Sequence, residues 1–116
     1  MKRLWIAIAV LMLATVGHAG KAEAGSYANG NDLLGWCESA SYADNASCGR
    51  YLAGIADATG TYDSWGVINK GFCIPDSVTL GQLEKVAIKG LNAMPEELHH
   101  SAPSLVFNIF NKAFPC

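Results

Sequence analysis

Ala46-Ser47-Cys48-Gly49-Arg50-Tyr51-Leu52-Ala53-Gly54-Ile55-Ala56-Asp57-Ala58-Thr59 places Cys48, Tyr51, Leu52, Ile55 and Thr59 at the i, i+3, i+4, i+7 spacing of one helix face. Gly49 and Gly54 fall inside this helix, each costing about 1 kcal/mol of propensity relative to alanine. Close approach of another helix is the expected reason for both. Upstream, Gly25 to Asn31 reads as a loose lead-in. Asn31 or Asp32 then caps a helix through Ala40, with Leu33, Leu34, Trp36 and Cys37 as its apolar stripe. Asp44-Asn45 separates this helix from the next.

Downstream, Gly60 to Gly71 reads as a long polar loop carrying Tyr62, Trp65 and Val67. Phe72-Cys73-Ile74-Pro75 is extended, because a residue before proline is pushed out of the helical region. Thr79 with Gln82 is a capping-box pair that opens a third helix. Leu80, Leu83, Val86, Ala87, Leu91 and Met94 form its buried stripe, and Pro95 stops or bends it. Pro95-Glu96-Glu97-Leu98 begins a short further turn. Ser101 and Pro103 open a last helix that packs Leu105, Val106, Ile109, Phe110 and Ala113 inward. Without an alternating run long enough for a sheet, the expected class is all-α: a small disulfide-stapled helical bundle of four to five helices.

The chain opens as an exported one does. Lys2 and Arg3 precede an uncharged apolar run from Leu4 to Val16, and Ala22-Glu23-Ala24 offers small residues to a signal peptidase. Cleavage after Ala24 is the expectation, with Gly17-His18-Ala19 as a competing site. The run is shorter than the roughly 20 residues that span a bilayer, and no cysteine follows it closely enough for a lipid anchor. Residues 1–24 are thus expected to be a signal peptide and 25–116 a single soluble exported domain. Cleavage removes three of the 8 basic and one of the 10 acidic residues, leaving 5 and 9, a formal charge of −4. An acidic chain with scattered lysines offers no basic stripe to nucleic acid.

The four cysteines, Cys37, Cys48, Cys73 and Cys116, form an even set in a small exported chain, which reads as a disulfide framework. Four allow three connectivities. Cys37 and Cys48 lie at facing ends of two consecutive helices, which favours Cys37–Cys48. Cys73–Cys116 then closes a long loop at the entrance of the third helix, where the chain-entropy gain is greatest. Zinc would need closer ligand spacing, so no metal is expected.

No constellation supports catalysis. His99 and His100 follow Glu96 and Glu97, but adjacent side chains on a helix diverge and the spacing matches no metal-ligand motif. No serine sits in a nucleophile elbow, Asp57 could orient a histidine or equally act near the following turn as a structural acid, and no glycine-rich phosphate loop exists. Neither enzymatic activity nor a cofactor is expected. What remains is a recognition surface: Tyr62, Asp63 and Trp65, framed by Gly60, Gly66 and Gly71. Aromatic side chains anchor protein interfaces, although Trp65 could equally fold back over a small core.

The ordered set Leu33-x3-Cys37, Cys48-Gly49-Arg50-Tyr51-Leu52-x-Gly54-Ile55-x-Asp57, Phe72-Cys73-Ile74-Pro75 with Val78 and Gln82-Leu83, Pro95-Glu96-x-Leu98-His99, Ala102 and Ala113-Phe114-Pro115-Cys116 resembles the Rap/Tai family of immunity proteins associated with type VI secretion. Arg50 and Gly90 depart from the residue types the pattern favours. The resemblance implies a helical, disulfide-bonded periplasmic protein, often a homodimer, that neutralises a peptidoglycan-cleaving amidase toxin and has no catalysis of its own. An envelope-maintenance factor or stress chaperone on the same scaffold is the alternative from another class. A small hydrolase or metal protein using His99 and Glu96 is a third.

Overall fold

The computed structural model describes residues 26–69 and 71–116, so the expected signal peptide lies outside the described residues. The first helix, α1 (Gly30–Glu38), is capped two residues before Asn31 and three before Asp32, the caps expected from the sequence. Asn29 is the cap: its Oδ1 accepts from the Asp32 N–H at 2.9 Å, and the Asp32 carboxylate accepts from the Asn29 N–H at 3.0 Å. That reciprocal box needs an acidic or amide residue three positions on. Only Asn29 has one, since Asn31 would face Leu34 and Asp32 would face Gly35.

The other N–H groups of the first turn are also satisfied. Gly30 donates to the His100 carbonyl and Asn31 to the Leu98 carbonyl, both at 3.0 Å, while Ala102 donates back to Ala28 at 2.9 Å. The lead-in is therefore pinned rather than loose, with Ala28 buried. Gly30 has no room for a side chain there, because a Cβ would lie 2.6 Å from Leu105 Cδ1 and 2.9 Å from the Leu98 carbonyl oxygen.

Helix α2 (Tyr42–Ser64) is longer than the sequence suggests at both ends. Ser41 caps it, and Asp44 and Asn45 lie inside its first turn instead of breaking the chain. Ser39 Oγ donates to Asp44 Oδ2 at 2.7 Å, and Asn45 Nδ2 donates to the Ser41 carbonyl at 3.0 Å. These polar side chains tie the helix start to the preceding turn, a role that short polar residues fill well. Helix α1 correspondingly stops at Glu38, short of Ala40.

Helix α3 (Leu80–Asn92) starts at the Thr79–Gln82 capping box, with bonds of 3.2 and 2.8 Å. Leu83, Ala87 and Leu91 are buried, whereas Leu80 is 37% exposed. Pro95 opens a 3-10 turn (Pro95–Glu97) beyond its end. Helix α4 (Ala102–Ala113) buries Leu105, Val106, Ile109 and Phe110 but leaves Ala113 exposed, because that residue lies on the solvent side of the last turn. Among the described residues there are four α-helices and no strand, beyond a single bridge between Asn29 and Ser101.

All four helices meet at Leu33, Leu52, Leu91, Val106 and Phe110, each wholly buried. Gly49 lets α2 approach α3, where a Cβ would stand 2.6 Å from Glu84 Oε1 and 3.3 Å from Leu80 Cδ2. Gly54 has no such neighbour: nothing lies within 4 Å of its Cβ position, so close packing does not account for it. The cysteines are bonded as Cys37–Cys48 and Cys73–Cys116, each pair with Cα atoms 5.0 Å apart. Beside the second bond, the Phe72 ring stands edge-on to Phe107 at 5.6 Å and to Phe110 at 5.5 Å. The Cys73 N–H donates to the Phe114 carbonyl at 2.8 Å.

Candidate functional site

Tyr62 and Asp63 are on the last turn of α2, and Trp65 is its C-cap; the expected loop from Gly60 does not exist there. Gly60, Thr61 and Ser64 read as loop residues because their types compete poorly in a helix interior. Here the hydroxyls bond back to the helix. Thr59 Oγ1 donates to the Ile55 carbonyl at 2.8 Å, Thr61 Oγ1 to the Asp57 carbonyl at 3.0 Å, and Ser64 Oγ to the Thr61 carbonyl at 2.8 Å.

The helix ends in a Schellman motif. The Gly66 N–H donates to the Asp63 carbonyl and the Val67 N–H to the Tyr62 carbonyl, both at 2.9 Å. Gly66 has φ +71°, a left-handed conformation that glycine adopts without penalty. This turn holds three apolar side chains in solvent: Tyr62 is 46% exposed, Trp65 70% and Val67 65%. Trp65 does not fold back over the core. Its ring stands edge-on to that of Tyr62, with centroids 6.0 Å apart and planes at 66°.

Two concavities flank this projection. Tyr62 closes one end of an apolar groove of about 480 Å³ between α2 and α4, lined by Tyr51, Gly54, Ile55, Ala58, Pro103 and Phe107, with Arg50 at its rim. Asp63 borders a cleft of about 410 Å³ on the other side, where Asp57 and Asp76 join Phe72, Ile74 and Val78. Sequence spacing does not show the groove, because Ile55 counts as core and Phe107, four residues after Pro103 and three before Phe110, has the spacing of a core residue too. The glycine–alanine step Gly54-x3-Ala58 is the signal that could have shown it, since small residues leave a furrow in a helix surface.

Tyr51 stands at the groove wall with its ring 5.8 Å from that of Trp36. Burial pushes its phenol pKa up and the Asp32 carboxylate adds to the shift, while a hydrogen bond with Ser26 works against them. His99 and His100 lie beyond the 3-10 turn rather than on a helix, and their rings are 4.0 Å apart. The divergence expected of helical neighbours therefore does not apply to them. His100 Nε2 is 3.0 Å from Glu97 Oε2, with both side chains about half exposed. Among the described residues, no three His, Cys, Asp or Glu side chains converge closely enough to hold a metal ion. No described helix is long and apolar enough to cross a membrane.

No curated protein matches the chain. A family model described as Rap1a immunity proteins matches residues 29–116, from the Asn29 cap of α1 to Cys116 and so across all four helices and both disulfides. The chain belongs to the Rap1a immunity protein family.

Proposed function

We propose that this is a periplasmic immunity protein, exported through a cleaved leader, that binds and inhibits a peptidoglycan amidase delivered by type VI secretion. Family membership over residues 29–116 carries the reading. Two disulfides suit an oxidising compartment. The protein acts by occlusion and not by chemistry, as a homodimer, with Tyr62, Asp63 and Trp65 in the contact surface. An aromatic pair held on a rigid helix cap suits that role, because aromatic anchors bring large contact area at low entropy cost.

The test is to produce the protein with its own leader beside a co-encoded secreted amidase, then purify the complex and follow peptidoglycan cleavage. A stoichiometric complex with the amidase silenced supports the reading. Full cleavage in the presence of excess folded immunity protein rejects it, and broad weak binding to many unfolded proteins would point to the chaperone role instead.

A further inference from the structure

The two disulfides sit in opposite surroundings. Cys37 and Cys48 are 8% and 1% exposed and belong to the core cluster between α1 and α2. Cys73 and Cys116 are both exposed, and both lie outside the helices, one in the extended segment before α3 and the other beyond α4. Thiol–disulfide exchange requires a thiolate to reach a sulfur atom of the bond. Access to a buried pair requires the surrounding structure to open first.

We infer that Cys73–Cys116 is a reversible thiol–disulfide exchange site for a dithiol reductant, such as an oxidoreductase with a C-x-x-C motif, while Cys37–Cys48 stays closed as long as the bundle is folded. A thiolate of the dithiol attacks one sulfur, and the mixed disulfide forms as the other protein cysteine leaves and takes up a proton. The second thiol of the dithiol then displaces the remaining protein sulfur. The protein gains two electrons and two protons as two thiols, and the dithiol is oxidised to its disulfide.

The non-covalent contacts outlast the bond. Phe72 keeps its edge contacts with Phe107 and Phe110, and the Cys73 N–H keeps the Phe114 carbonyl, so the two thiols stay close enough to re-form the bridge. What is lost is the covalent tie on the segment from Gly71 to Val78, which walls the cleft bordered by Asp57 and Asp63. Reduction thus loosens one wall beside the Tyr62–Trp65 projection and leaves the helical core in place. This inference does not depend on the immunity reading.

The oxidised protein is treated with dithiothreitol under native conditions, quenched with a maleimide at intervals and mapped by peptide mass. Labels should accumulate on Cys73 and Cys116 at least about tenfold faster than on Cys37 and Cys48. The helical circular dichroism signal should hold while they do, and the bond should return when oxidised dithiol replaces the reductant. Equal labelling of all four cysteines, earlier labelling of Cys37 and Cys48, or loss of helix as Cys73–Cys116 opens would each overturn the inference. The Cys73→Ser/Cys116→Ser double variant provides an independent check: it should remain helical, and an unfolded variant would also count against it.

Discussion

A Cβ on Gly90 would lie 2.6 Å from Cγ1 of Ile109 and 2.7 Å from both Cδ1 and Cγ2, so α3 and α4 meet there without room for a methyl group. A glycine that looks like a weak point in an otherwise well-patterned helix is what allows Ile109 to be buried.

Gly90→Ala should therefore destabilise the protein by about 1–3 kcal/mol, since overpacking outweighs the improved helix propensity. Gly54→Ala has open space around it and should stabilise by about 0.5–1 kcal/mol. Urea unfolding of the two variants side by side checks both signs; a Gly90 variant as stable as the parent would mean the two helices separate readily.

Gly66→Ala forces an L-residue into φ +71° and should cost about 1–2 kcal/mol. If Trp65 anchors the toxin, the variant should also weaken binding, because the same turn places that ring. Thermal unfolding and titration calorimetry separate the two effects.

Tyr62→Ala and Trp65→Ala remove exposed rings and should shift stability by no more than about 0.5 kcal/mol. If these residues anchor the toxin, each should lower affinity by about 2 kcal/mol or more, roughly thirtyfold. Unchanged affinity in folded variants would remove the helix cap from the interface.

Tyr51 predicts an alkaline limb in stability. Its folded pKa lies above the ordinary value of 10.0, so the native state holds this proton more tightly than the unfolded chain. The resulting stability is fully present below about pH 10 and is lost as pH rises through the folded pKa. Tyr51→Phe should flatten that limb, as measured by urea midpoints across alkaline pH; an unaltered limb would assign it to other groups.

The bundle and its helix order were legible because apolar spacing and side-chain caps are local signals. Thr79 with Gln82 marked the start of α3, and Leu83, Ala87 and Leu91 marked its inner face. The end of α2 was not legible. Its Thr and Ser hydroxyls bond back to carbonyls of their own helix, so residues that usually favour loops complete the last turns instead. Tyr62, Asp63 and Trp65, expected on a loop, stand at the end of α2, and the Schellman turn that holds them depends on where the helix stops. The groove between α2 and α4 joins residues far apart in sequence, so the local Gly54-x3-Ala58 step marks only one of its walls.

The clasp at the start of α1 sets an order of events for the chain. Two of its first N–H groups bond to carbonyls at Leu98 and His100, which follow α3 in the sequence. A nine-residue helix is marginal by itself in water. The first of the described helices to be synthesised is thus among the last to lock, and a chain cut short before His100 lacks the partners that hold the start of α1. Synthesis through His100 is in effect a checkpoint on α1, which stays pliable until the segment after α3 has arrived.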